Sequence, residues 1–377
     1  MTPAHGSLLH EFQKVVELSE AIQIQNNLLA TNANNIEMKT TELKSVLTSW
    51  RERLPNTSDT MEIWSDLVSW RQHVFSLINK AYIPIISVLQ QNQSQNSAAN
   101  SFAYKGFHET AWIINRFASV ARKHTMTDVC INALSKIYTL PNIEIQEAFF
   151  KLREQAKCHL LNPSEYVTGL DVINNTNLMY FTPFQKSEFF MLKGRFLANL
   201  NLISEAEEAL SHAAQMETNL PRAWAAWGQF NDKQFRDQPK ETKYGAQAIT
   251  CYLNAASLFN SDRSRRYLAR VLWLLSQDDE SESIGKAYEA FKPDQPQHTP
   301  TWYWVSFIPQ LLSSLSHKEA KYSRQILMSI GKNYPQVCVS FSFLSEADHL
   351  GVTLPSSIDK GRVDDCQEAT SVQECPW

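Results

Sequence analysis

Histidine, cysteine and arginine are the residues of this 377-residue sequence whose spacing could do chemistry. His108-Glu109 begins like a zinc-protease helix, in which two histidines four positions apart hold the metal and the glutamate acts as base. The fourth residue on is Trp112, so the metal would lose one of its two ligands on that face, and the pair reads as a helix start. Cys158 and His159 are adjacent, which on a helix turns them to different faces and denies them to one chelate. Cys158 therefore reads as a buried structural thiol. Cys366 and Cys375 lack a second pair of ligands.

Arg263, Arg265, Arg266 and Arg270 form the densest basic cluster. Arg263, Arg266 and Arg270 follow helical spacing, so they could share one face and grip an acidic partner or a phosphate. The competing reading is a solvated helix face that pairs with Asp262 and the later Asp278, Asp279 and Glu280. Larger catalytic patterns are missing from the sequence. A nucleotide enzyme needs a glycine-rich loop whose amides cradle phosphate, a lysine that reaches it and acids for magnesium, yet no GxGxxG, GxxxxGK[ST], HRD or DFG can be read. A GxSxG nucleophile elbow is also missing. The expectation is no catalytic residue, no cofactor, no metal and no small-molecule substrate.

Composition narrows the class further. Hydrophobic residues make up 43% and charged residues 20%, enough to build a core. Only 10 glycines among 377 residues argues for helices over strands joined by tight hairpins. The formal charge of −4 is uneven: residues 338–377 hold seven acids against Lys360 and Arg362, leaving 33 basic and 32 acidic residues before them. A near-neutral body gives no electrostatic case for nucleic acid or membrane. Six cysteines without a secretory leader fit a reducing compartment, and no apolar run approaches the 18 residues of a membrane span. The sequons at Asn56, Asn92 and Asn174 are accordingly expected to stay unmodified.

The elements that would position these residues are helices throughout. Leu8, Leu9, Phe12, Val15 and Val16 mark the first amphipathic stripe, followed by Leu43, Val46, Leu47, Trp50 and then Trp64, Leu67, Val68, Phe75, Ile78, with Ser58 or Asp59 as cap. The polar stretch QQNQSQNSAAN (90–100) has no periodicity and reads as a loop. Helical segments are then expected near 107–123, 127–138, 144–158, 184–199, 203–217, 263–277, 281–291, 302–315 and 319–333, some separated by Pro141, Pro163 and Pro183. Pro84 argues against a central strand at Tyr82–Leu89.

A repeat of 34 residues relates Gly194 to Gly228, the small residue on the first helix of a tetratricopeptide-like unit. Phe190, Gly194 and Leu197 precede Ala206, Leu210 and Ala213; Trp224, Trp227 and Gly228 precede Ala248, Tyr252 and Ala255 at the same small-large-small spacing. Small residues let two helices approach while large ones fill the groove. Pro221 falls at the inter-repeat turn. Inter-helix packing accounts for most of the ten tryptophans, among them Trp273, Trp302 and Trp304. The organisation expected is a helical block at 1–90, a polar linker at 91–101, tetratricopeptide-like repeats at 102–336 and a divergent, loosely ordered tail at 337–377.

Several long motifs carry a family resemblance: LTSWRERLPNTSDTMEIWSDLVSWRQH (47–73), LSKIYTLPNIEIQEAFFKLREQAKC (134–158), GLDVINNTNLMYFT (169–182), the pair FFMLKGRFLANLN and RAWAAWGQF, AITCYLNAA, SRRYLARVLWLLSQDD (264–279) and WVSFIPQLL (304–312). In this order they resemble the FAT region of the TRRAP family, pseudokinase-family members of histone acetyltransferase coactivator complexes, over about residues 40 to 336. The resemblance implies an all-α solenoid of tetratricopeptide-like and HEAT-like hairpins. It implies a nuclear, non-catalytic scaffold in complexes of the SAGA type and in the assembly built around a MYST-class acetyltransferase, supporting transcription activation and chromatin-linked DNA repair. Partners implied are acetyltransferase-complex subunits and transcription activators, with no direct nucleic acid and no membrane. The kinase-like domain and the N-terminal HEAT solenoid that the family carries are not in this sequence, which reads as a fragment. After SIGKNYPQ (329–336) the resemblance stops, so the last hairpin is expected to lack its cap and the isolated chain to behave poorly. Two rival readings are a fragment of an active kinase of the wider family and a peptide-binding adaptor with a basic clamp at Arg263 to Arg270.

Overall fold

The computed structural model describes residues 3–32, 35–92, 104–259, 262–278, 283–291 and 300–336. Among them there are fifteen α-helices and no strand. The chain divides into two compact units, Met1–Phe181 and Thr182–Trp377.

The first unit contains α1 (Pro3–Leu29), α2 (Ile36–Glu52), α3 (Met61–Asn92), α4 (Lys105–Lys123), α5 (Thr127–Ser135), α6 (Ile145–His159) and α7 (Tyr166–Asn174). The stripes read from sequence on α2 and α3 meet in one core, where Leu43, Leu47 and Trp50 pack with Val68, Phe75, Ile78 and Tyr82. Pro84 lies inside α3, which continues to Asn92, so the first residues of the polar stretch are helical and the rest fall outside the described residues. Asp59 does not cap α3 directly: its carboxylate accepts from the Asn56 amide at 2.8 Å and closes the preceding turn. Helices α3 and α4 approach so closely that a Cβ at Gly106 would collide with the Phe75 carbonyl and the Asn79 side chain. A second core joins Ala111, Ala118 and Ala121 of α4 to Cys130 and Leu134 of α5 and Cys158 of α6. Helix α7 was not expected from the sequence, because Pro163 was read as a separator. Pro163 instead opens a 3-10 turn, Pro163–Glu165, that runs into α7, as its fixed φ suits a helix start.

Long-range charge pairs fix the register of these helices. Arg71 and Glu17 are both buried; Arg71 Nη2 donates to Glu17 Oε1 at 2.6 Å, while Nη1 donates to the Trp50 carbonyl at 2.6 Å and Nη2 also to the Arg53 carbonyl at 2.8 Å. Glu20, one turn along α1, accepts from the Trp50 indole at 2.8 Å and from Arg53 at 2.6 Å. Helix α1 therefore docks through these acids and through Ile24, which is buried in the core with Ala21 and Leu28 beside it. Leu8, Leu9, Phe12 and Val15, the stripe that announced the helix, face outward, between 47% and 68% exposed.

The second unit contains α8 (Pro183–Asn199), α9 (Ile203–Met216), α10 (Pro221–Asp237), α11 (Thr242–Leu258), α12 (Asp262–Ser276), α13 (Ser283–Ala290), α14 (Ile308–Ser313) and α15 (Ala320–Asn333). Thr182 and Gln185 form a capping box ahead of α8, with Pro183 at the first helical position. Asn201 takes a left-handed φ of 61° in the short α8–α9 turn, a conformation asparagine tolerates. Segment 302–315, expected as one helix, is a 3-10 stretch (Thr301–Phe307) followed by α14 at Pro309 and a further 3-10 turn. Its Tyr303, Trp304, Ile308 and Leu311 join a core with Leu268, Val271 and Leu274 of α12 and Ile326 and Ile330 of α15. Residues 337–377, the expected tail, lie outside the described residues.

Candidate interaction surface

The repeat read from sequence is the frame of the second unit. Helices α8 and α9 form one hairpin and α10 and α11 the next. At Gly194 an added Cβ would stand 2.5 Å from Leu210 Cγ; at Gly228 it would stand 2.8 Å from the Tyr252 ring. Each glycine thus faces the large residue of the small-large-small triplet, and the flanking Ala206, Ala213, Ala248 and Ala255 are fully buried. Phe190 packs edge-on to His212, 4.6 Å between ring centroids. Trp224 and Trp227 stack at 5.9 Å and are half-buried, and the Trp224 indole donates to the Thr218 carbonyl at 2.9 Å.

Helix α12 lies against this frame and carries the basic cluster. Arg263, Arg265 and Arg266 are exposed, whereas Arg270 is drawn inward. Its Nε and Nη2 donate to Asp232 Oδ2 and Oδ1 at 2.8 Å each, and Tyr252 OH donates to Asp232 Oδ2 at 3.0 Å. The Arg270 guanidinium also covers Trp273, 3.6 Å from the ring centroid. The hydrogen bonds that Arg270 donates to Asp232 hold the Arg270 pKa above its ordinary value, while burial, and then the Asp232 charge, raise that of Tyr252. Both groups stay protonated at any physiological pH. Arg270 is therefore a tie between α12 and α10, and the outward basic stripe is Arg263 and Arg266, with the Arg263 guanidinium 6.0 Å from the Phe259 ring.

Asp232 escaped the sequence reading because it sits within the extra residues of the second repeat, 38 positions from Arg270, where no local spacing pairs them. Asp278, expected to pair with the stripe, accepts from the Ile284 and Gly285 amides at 3.2 and 2.7 Å at the start of α13. Residues 279 and 280 fall outside the described residues. Trp304 is buried as packing requires, but Trp273 and Trp302 are 38% and 49% exposed, the first under Arg270 and the second stacked on Tyr303 at 4.0 Å.

The other sequence candidates resolve into helix joints. His108 Nδ1 lies 2.9 Å from Glu144 and its Nε2 2.8 Å from the Asn142 carbonyl, which ties α4 to the start of α6. His159 Nδ1 meets Glu165 at 2.8 Å, while Cys158 is buried beside Cys130. Among the described residues no group of three or more His, Cys, Asp or Glu side chains is placed to hold a metal ion. Nor, among them, is any helix long and apolar enough to cross a membrane. The arrangement on α12 is thus one guanidinium fixed against Asp232 and Trp273 and the exposed Arg263, Arg265 and Arg266 outside it.

A family model for the FAT domain matches residues 2–273, which includes the helices before the polar stretch. The chain is 55% identical over 335 residues to the SAGA complex/NuA4 acetyltransferase complex subunit TRA1 of Saccharomyces cerevisiae, covering 89% of this chain and 9% of that protein. Its identity to the corresponding subunit of Schizosaccharomyces pombe is 51% over 336 residues, 88% of this chain and 9% of that protein. The human transformation/transcription domain-associated protein is 37% identical over 340 residues, again 88% of this chain and 9% of its own length. This chain spans about 9% of the length of these relatives.

Proposed function

Because the chain belongs to the FAT-domain family of these acetyltransferase-complex subunits, we propose that it is a non-catalytic scaffold segment of a histone acetyltransferase coactivator complex. The observation that carries this reading is the 55% identity, sustained across 89% of the chain, to a subunit named for the SAGA and NuA4 complexes. In this role the chain works in the nucleus, in complexes of the SAGA type and in the assembly built around a MYST-class acetyltransferase, and supports transcription activation and chromatin-linked DNA repair. No bond is made or broken by it; the 377 residues carry no phosphate-cradling or magnesium-binding pattern. Its partners are other protein subunits and transcription activators, held without direct contact to nucleic acid.

Arg263 and Arg266 are the residues we assign to a partner surface, with Arg270 holding α12 in place through Asp232. Tagged chain recovered from nuclear extract should bring down acetyltransferase-complex subunits identifiable by mass spectrometry. Recovery of chaperones alone would refute the scaffold role of this segment.

A further inference from the structure

The first unit carries an uncovered apolar trough between α1 and α3. Two adjoining cavities of about 480 and 390 Å³ share Leu18 and Trp70 in their walls and so run into one another along the two helices. Along α1 the lining positions Glu11, Lys14, Leu18, Ile22, Gln25 and Leu29 recur at three- and four-residue steps. Along α3, Ile63, Leu67, Trp70, Val74, Leu77 and Ala81 do the same. From Glu11 to Leu29 this is about 27 Å at 1.5 Å per residue, roughly five helical turns. Leu18 is 52%, Ile22 53% and Leu77 43% exposed. The floor of the trough is the outer side of the core shared with α2, where Ile24 and Val74 are buried, while its rims at Leu18, Ile22 and Leu77 stay exposed.

Charge is distributed unevenly along it. At the end nearer the N-terminus of α1 stand Glu11 and Asp66 with a single base, Lys14, whose Nζ is 2.8 Å from Glu11; His10 there lies 3.7 Å from Asp59. At the other end the polar lining is Gln25 and His73, with no acid. Two parallel walls of apolar residues at helical spacing accept a third helix through ridges and grooves, and one acidic end favours a basic residue on it.

We propose that this trough binds one amphipathic helix of a partner protein, about five turns long, with apolar residues at i, i+3/i+4 and i+7 and a basic residue over Asp66. It deepens the scaffold reading by naming the kind of element held, but its test is separate from that reading. The probes are two synthetic 18-residue helical peptides with leucines at that spacing, one with two arginines at the end meant for Asp66 and one with two glutamates, titrated by fluorescence anisotropy against the whole 377-residue chain.

The arginine peptide should bind saturably and more tightly than the glutamate peptide. Leu18→Asp and Leu77→Asp, both at half-exposed positions and each checked for a parent-like urea unfolding curve, should each weaken it by roughly tenfold or more. Asp66→Arg should invert the preference between the two peptides. No saturable binding, or binding that Leu18→Asp leaves unchanged, overturns the proposal. So does a dimer by light scattering that Leu18→Asp dissociates, since the occupant would then be a second copy. Subunit recovery from nuclear extract that survives Leu18→Asp, together with a silent peptide titration, would remove this inference and leave the scaffold role standing.

Discussion

Arg71→Met tests the claim that charge fixes the first helix in place beside the apolar contacts of Ile24, Ala21 and Leu28. The guanidinium donates to Glu17 and to the carbonyls of Trp50 and Arg53, and its centre lies 5.3 Å from the Trp50 ring. Removing it leaves the Glu17 carboxylate buried with no charged partner and only the Gln13 amide at 3.0 Å, which also reaches the Arg53 carbonyl at 3.2 Å, and takes the Arg71 donor from the Trp50 carbonyl. Breaking a buried pair from one side costs about 3–5 kcal/mol, roughly a thousandfold in the unfolding equilibrium. Glu17→Leu is milder, about 1.5–3 kcal/mol, because Arg71 keeps both carbonyl bonds. The double variant should lose about 2 kcal/mol less than the sum of the singles. Urea unfolding followed by tryptophan fluorescence reports the free energies, and hydrogen exchange of the α1 amides reports whether the loss is local. Strictly additive singles, or an Arg71→Met chain within 1 kcal/mol of the parent (about the size of a surface pair), would refute the reasoning.

Gly194→Ala places a methyl on Leu210, and overpacking of about 1–3 kcal/mol should outweigh the gain in helix propensity of about 1 kcal/mol; Gly194→Ala/Leu210→Ala should cost less than the two singles combined, read by denaturation. Lys151, buried with its Nζ 2.8 Å from the Tyr138 ring centroid, has a pKa lowered by burial to about 8. The unfolded chain then binds more protons than the folded one between pH 8 and 10.5, so stability rises across that window, and below it the burial cost is present in full. Lys151→Met should raise stability at pH 7 by about 1–3 kcal/mol and flatten this rise relative to the parent, measured by urea titrations at both ends of the window. Arg263→Glu/Arg266→Glu should leave thermal unfolding unchanged while reducing co-purified subunits; unchanged recovery by quantitative mass spectrometry would remove these residues from the partner surface.

The parts legible in the sequence were those fixed by spacing along one helix pair. Gly194 and Gly228 announced their partners because a hairpin brings i and roughly i+16 to i+24 together, and Leu210 and Tyr252 stand where that geometry requires. The motifs that carried the family resemblance likewise lie within single hairpins. Partners on non-adjacent helices stayed hidden. Nothing in the neighbourhood of Arg270 points to Asp232, and Arg71 is 54 residues from Glu17. Helix α7 was missed because it is only 9 residues long, includes Gly169 and follows a proline that equally well ends a helix or starts one. The outward stripe of α1 was visible as a stripe, but periodicity locates an apolar face without saying what covers it.

Three of the pairs that could not be read share one arrangement, and it explains why the chain needs them. Arg51 reaches Glu109, Arg122 reaches Glu154 and Arg270 reaches Asp232; in each the acid is buried while the arginine is between 19% and 38% exposed. Burial alone would push the Glu154 carboxyl up, yet Lys157, Arg122 and Arg153 around it hold its pKa below the usual value. An acid placed this way is tolerable in only one register of the two helices, since a slip by one turn would strand it without a donor. Apolar contacts discriminate less sharply, because Ala-Leu-Ala faces repeat along a helix and a shifted hairpin would still bury most of them. The small residues therefore set how close neighbouring helices come, and the long-range arginine pairs set which turn meets which. A segment whose work is to present surfaces to other subunits depends on the second as much as the first, because a one-turn slip of α12 would carry Arg263 and Arg266 about 5 Å from their place.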